Sequence, residues 1–166
     1  MATKVSRREF IKTMGILGGF ALSSAVIAAC GGGAATTSAP AAAGGGAVTL
    51  EISSKGEELV YDKDALSAPA GSKITLNFKN NSTALQHNWV LSKPGTQDTV
   101  ANDGMAAGEG KGYVKDGDTN IIAKTGMVKP GQTASVTFDA PAAGAYPYFC
   151  TFPGHNVLMK GTLTIK

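Results

Sequence analysis

From Ala47 to Lys166 the sequence predicts an all-β sandwich, on three observations. Val, Thr, Ile, Leu and Phe recur at every second position over short stretches, and clusters of Pro, Gly and Asn break those stretches at short intervals. About 120 residues in seven or eight strands also suffice to bury roughly two thirds of the surface of the unfolded chain.

Val48 to Ser53 reads as the first strand, and Leu59 to Tyr61 with Ala65 to Ala68 as a broken second. Ser67-Ala68-Pro69-Ala70-Gly71 turns the chain into Lys73 to Asn80, where Ile74, Leu76 and Phe78 face one way and the polar residues the other, so a single face is buried. Leu85 to Leu91 follows and carries His87, with Trp89 two residues on and therefore on the same face. Ser92 to Asn120 breaks the rhythm. It is Gly-rich, with weak helical character only around Thr96 to Ala107, and an insert of that length is expected to be functional or mobile. Strands resume at Ile121 to Ala123 and at Gln132 to Phe138, where Ala134, Val136 and Phe138 alternate with polar residues. Ala145 to Cys150 comes after the Pro141 to Gly144 turn, and Lys160 to Lys166 closes the sheet with Leu163 and Ile165 inward.

The first 30 residues have a different character. Ser6-Arg7-Arg8-Glu9-Phe10-Ile11-Lys12 is a twin-arginine export motif, and the uncharged run from Thr13 to Ala29 that follows is short for a membrane-spanning helix and contains three glycines. It is read as a signal segment. The run ends Val26-Ile27-Ala28-Ala29-Cys30, which resembles a bacterial lipoprotein cleavage box with Cys30 as the lipidated residue; ordinary cleavage at a small-residue site is the alternative. Residues 31 to 46 are uncharged Gly, Ala, Thr, Ser and Pro, unable to bury enough surface to order themselves, and make a flexible tether with ends on the order of 20 to 25 Å apart. The expected organisation is thus residues 1–30 for export, 31–46 as linker and 47–166 as the domain.

The formal charge of +3 lies in the export segment, and the remainder balances 11 Lys against 11 acidic residues, with no Arg after Arg8. That excludes a basic nucleic-acid surface. No nucleophile-base pairing or phosphate loop is evident, so no catalysis of its own is expected.

The chemistry is concentrated in Tyr148-Phe149-Cys150-Thr151-Phe152-Pro153-Gly154-His155-Asn156-Val157-Leu158-Met159. A buried Cys is ordinarily a small hydrophobe and a Met after a turn ordinarily core packing. Coincidence argues against that here, because the chain has only two His, at 87 and 155, and both fall where a Cys150-centred site needs them. Pro153-Gly154 makes the interval between Cys150 and His155 a turn, so the loop can bend back over one ion and bring Met159 round to its axial side. Two His and one Cys in a plane with a weak axial Met are the donors of a mononuclear electron-transfer copper site. In an oxidising compartment, where an unpaired thiol calls for an explanation, metal ligation by Cys150 supplies it.

YFCTFPGHNVLMKG from Tyr148 to Gly161 and LQHNWVLS from Leu85 to Ser92 resemble the azurin and auracyanin branch of the small blue copper proteins, the cupredoxins. The resemblance implies a Greek-key β-sandwich with a flap at about 92–120 carrying a short helix. It implies one copper ion held by His87, Cys150, His155 and Met159, the imidazoles through Nδ1. Backbone N–H groups of Asn88 and Phe152 would point at the sulfur, and the Asn88 side chain would tie its strand to the loop near Thr151. Gln86 stands where azurins have Gly, as in auracyanins, so the close carbonyl approach of azurins is not carried over. The azurin disulfide cannot form either, since the domain has no second Cys.

The function implied is a one-electron carrier, shuttling between a membrane quinol-oxidising complex and a cytochrome or photosynthetic reaction centre. It would be monomeric, periplasmic or on the outer face of the cytoplasmic membrane and anchored there, docking through an apolar patch of Leu85, Phe152, Pro153 and Val157 around His155. The rival readings are an exported copper storage or delivery protein, which calls for Met-rich or His-rich clusters, and an adhesion-type sandwich with an incidental Cys.

Overall fold

A computed structural model of the protein describes residues 45–166. The twin-arginine motif, the apolar run, Cys30 and the linker up to residue 44 lie outside the described residues.

Among the described residues, eight strands form two mixed sheets, with no closed barrel. The smaller has the order β1-β3-β6, built from β1 (Ala47–Ser53), β3 (Lys73–Lys79) and β6 (Thr133–Asp139). β1 runs parallel to β3, and β6 antiparallel to it. The larger has the order β2-β8-β7-β4-β5, from β2 (Ala65–Ala68), β8 (Lys160–Ile165), β7 (Gly144–Phe149), β4 (Val90–Ser92) and β5 (Ile121–Lys124). Only β2 and β8 pair in parallel there.

The alternation in β3 explains the core. Ile74, Leu76 and Phe78 are fully buried in one cluster with Leu91, Tyr148, Leu163 and Ile165 from the other sheet and with Trp89 just before β4. Phe78 meets Tyr61 edge-on at 5.8 Å, and Tyr61 meets Tyr148 at 5.5 Å, an arrangement favourable for aromatic rings.

Two expectations change. The strand expected over Leu85 to Leu91 is regular only from Val90, and His87 pairs with Val128 as an isolated bridge. The reason lies in Asn80, whose side-chain amide donates to the carbonyls of Leu85 and Val128, both at 2.8 Å, doing locally what a ladder would do. Likewise Leu59 to Tyr61 is not a strand; Tyr61 bridges Ser54 alone.

The insert between β4 and β5 carries α1 (Gln97–Ala107) and a 3-10 turn at Glu109–Lys111. Val100, Ala101 and Val114 bury themselves against Val90 and Phe149 on the outer face of the larger sheet, as a second small core. The flap is thus packed onto the sandwich, directly behind the end of β7 from which the loop bearing Cys150 departs.

Replacing Phe78 by Ala should lower the unfolding free energy by about 3 to 5 kcal/mol, the loss expected for emptying a packed aromatic site. Urea denaturation followed by tryptophan fluorescence measures it; a loss below about 1 kcal/mol would mean that the two sheets do not share one core there.

Candidate metal centre

Cys150 is the first residue after β7, and its N–H donates to the Met159 carbonyl at 3.0 Å, just before Phe149 pairs with Lys160. The loop between them is closed by its own ends. Within it the His155 N–H donates to the Phe152 carbonyl at 2.9 Å, and the Met159 N–H to the His155 carbonyl at 2.8 Å. Gly154 supplies the left-handed backbone, φ 82°, that lets the chain reverse into the short 3-10 turn His155–Val157.

His87 comes from the opposite side. Its N–H donates to the Val128 carbonyl and its carbonyl accepts from the Val128 N–H, at 3.2 and 2.8 Å. Next to it, Asn88 accepts from the Thr151 N–H at 2.9 Å and donates to the Thr151 hydroxyl at 2.7 Å. These two buried bonds tie the His87 segment to the Cys150 loop. The Tyr61 hydroxyl donates to the Asn88 carbonyl at 2.7 Å, and the Trp89 N–H to Thr125 Oγ1 at 3.0 Å.

The outcome is a triangle of donors. His87 Nδ1 and His155 Nδ1 are 3.2 Å apart, and Cys150 Sγ lies 3.9 Å from the first and 3.7 Å from the second. Three donors spread evenly in a plane around one ion, with bonds of about 2.0 to 2.3 Å, are separated by roughly 3.5 to 3.8 Å. The observed separations straddle that range. All three residues are buried, and the orphaned His87 Nε2 has no partner of its own. Lone pairs of two imidazoles and a sulfur converging in a buried space repel unless a proton or a cation sits among them, so the donor set fits a metal ion and, being soft at sulfur, fits copper.

Burial pushes the Cys150 thiol up to about 11, opposed by hydrogen bonds to the sulfur from the backbone N–H groups of Asn88 and Phe152. Burial, reinforced by His155, pushes His87 down to about 4, and burial lowers His155 as well. Without metal, the centre at neutral pH is a thiol and two neutral imidazoles. Met159 is fully buried in the same core cluster as Cys150, and half-buried Gln86 precedes His87. The Phe152 ring packs on His155 with centroids 4.6 Å apart.

Sequence reasoning did not find Tyr61, Asn80 or Thr125 as supports of the centre. Asn80 reads as the end of the strand from Lys73 and Thr125 as part of an unassigned connection, and Val128 and Trp89, to which they bond, lie far along the chain.

Residues 48–166 match the family described as copper binding proteins, plastocyanin/azurin family. The chain is 48% identical over 121 residues to auracyanin-A of Chloroflexus aurantiacus, covering 72% of this chain and 75% of the relative. It is 42% identical over 118 residues to an azurin of Pseudomonas fluorescens biotype C, covering 66% of this chain and 92% of the azurin. Among solved structures, dithionite-reduced auracyanin from Roseiflexus castenholzii superposes with a TM-score of 0.69 at 44% identity, covering 71% of this chain and 96% of that one. Auracyanin A of Chloroflexus aurantiacus, described as a "blue" copper protein, gives a TM-score of 0.69 at 48% identity, covering 72% and 99%.

Metal uptake must displace the Cys150 proton while finding both imidazoles already free. From about the ordinary imidazole value of 6.5 upward, and below about 11 where the thiol ionises unaided, one proton should leave per ion bound. Apparent affinity should then rise about tenfold per pH unit, and fall more steeply on acidification as His155 and then His87 become charged. Calorimetric titration in buffers of different ionisation enthalpy measures the proton count; a count of zero contradicts thiolate ligation.

Proposed function

Because the chain belongs to the plastocyanin/azurin family of copper-binding proteins, we propose that it is an exported, membrane-tethered carrier taking electrons from a quinol-oxidising complex to a cytochrome or photosynthetic reaction centre. Members such as auracyanin and azurin are electron carriers, and this chain is a blue copper protein rather than an enzyme. The observation that carries the reading is the buried triangle of His87, Cys150 and His155.

Copper bound there supplies a one-electron Cu(I)/Cu(II) couple. His87 and His155 would hold it through Nδ1 and Cys150 through its thiolate, with the buried Met159 sulfur as a further, weaker donor. The backbone N–H groups of Asn88 and Phe152 steady the sulfur charge. The Asn88–Thr151 bonds keep the two ligand-bearing segments in fixed relation. Ligands that do not rearrange between oxidation states keep the barrier to electron exchange low.

Access favours the His155 side. Val157 and Leu158 are each 61% exposed beside it, Pro153 is exposed, and Leu85 and Phe152 are half-buried. An apolar face next to a ligand imidazole suits weak, short-lived docking of a redox partner by a monomeric carrier. The start of β1 lies at the other end of the sandwich. Ala47, where β1 begins, pairs with Lys73, and Ala70 just before β3 is bonded to Lys166 beyond the end of β8, whereas the metal loop leaves β7 where Phe149 pairs with Lys160 at the start of β8.

Loaded with Cu(II), the protein should show an intense visible band that bleaches with ascorbate and is missing in Cys150→Ser. A wild type that stays colourless with copper added contradicts the carrier reading and returns the four residues to packing roles.

A further inference from the structure

His87 and His155 are restrained very differently. His87 is clamped inside the sandwich by Val128, while His155 rides on a loop at the surface, where the sheets offer it no backbone ladder. Support for that loop has to come from outside the sandwich, and the flap reaches it at two places.

At its start, the Gln97 side-chain amide donates to the carbonyl of Asn156, the residue after His155, at 3.0 Å. At its far end the Tyr113 ring meets Phe152 edge-on, with centroids 5.2 Å apart and planes at 66°, and Phe152 in turn lies on the His155 ring. Tyr113 has φ 53°, the one positive value at a non-glycine position among the described residues. A Cβ makes that conformation unfavourable, and it persists only where the surroundings fix it. Here the Tyr113 N–H donates to the Gly108 carbonyl at 3.0 Å, and α1 passes so close at Gly104 that a Cβ there would run into the Tyr113 carbonyl. The same point on Gly104 is 3.7 Å from the Thr151 side chain of the metal loop.

We propose that Gln97 and Tyr113 are positioning residues that hold His155 in its ligand orientation from outside. Gln97 fixes the backbone just after the imidazole, and Tyr113 props the Phe152 ring on which the imidazole rests. The role assigned to that orientation rests on the electron-carrier reading, since a carrier needs His155 in one place in both oxidation states. The flap is then part of the electron-transfer apparatus and not only a cover over Val90 and Phe149.

Amide hydrogen exchange, measured by NMR on the metal-free protein, tests this without copper. In Tyr113→Ala and in Gln97→Ala the amides of His155 and Met159 should exchange roughly two- to tenfold faster, the size such an aromatic pair or hydrogen bond contributes. The amides of Leu76 and Phe78 in β3 should keep their rates. Tyr113→Phe, which retains the ring contact, should restore the wild-type loop. Copper-loaded alanine variants should also lose metal to a chelator faster by a similar factor. Loop rates unchanged in both alanine variants, or β3 rates rising in parallel, overturn the proposal; should Tyr113→Ala fail to fold, Gln97→Ala decides. A protein that takes up no copper defeats the carrier reading, while the exchange comparison still decides the positioning.

Discussion

Three electron-rich donors held within 4 Å of one another in a buried interior are the constraint on which the rest of the structure depends. Left to themselves they would separate or seek water, since unpartnered polar atoms are costly to bury. Their convergence has to be imposed by the scaffold, and the surrounding bonds are arranged to do so. Val128 grips the His87 backbone through both its N–H and its carbonyl, Asn80 donates to that same Val128 carbonyl and to the Leu85 carbonyl, and Asn88 joins the His87 segment to Thr151 beside the sulfur. Beneath them lies the aromatic group of Trp89, Tyr148, Phe78 and Tyr61, too tightly packed to yield.

The same constraint divides the centre into an inner and an outer part. His87 and Cys150 belong to the sandwich and move only if the core moves. His155 belongs to a loop closed by Cys150 and Met159, and its aromatic neighbour Phe152 connects it to the flap. Electron transfer needs both properties at once: donors that stay put, and one donor near enough to the surface for a partner to reach. A buried imidazole bordered by the exposed side chains of Pro153, Val157 and Leu158 meets both needs.

Much of this is legible in the sequence. Alternation in Lys73 to Lys79 identifies the buried face, because a strand must turn every second residue inward. The spacing from Cys150 through His155 to Met159 identifies the loop, because few residue types ligate soft metals. What alternation does not report is the partner that each backbone group will find. The Leu85 to Asn88 segment looks like strand, yet the Asn80 side chain and Val128 satisfy it in place of a ladder. The flap reads as loose because its Gly content is high, yet Val100, Ala101 and Val114 are enough to seat it on Val90 and Phe149. Nothing local marks Tyr113 for a left-handed backbone; only the close passage of Gly104 does.

The central claim is that the protein, and not the metal, sets the donor triangle. Crystal structures of the metal-free and copper-loaded forms, at a resolution that places ring nitrogens, test it most directly. The account predicts that the separations among His87 Nδ1, Cys150 Sγ and His155 Nδ1 agree between the two within about 0.5 Å, the tolerance of a preorganised site. A metal-free form in which His155 swings out, or in which the Asn88–Thr151 bonds open, would contradict it and make the metal the organiser of the loop.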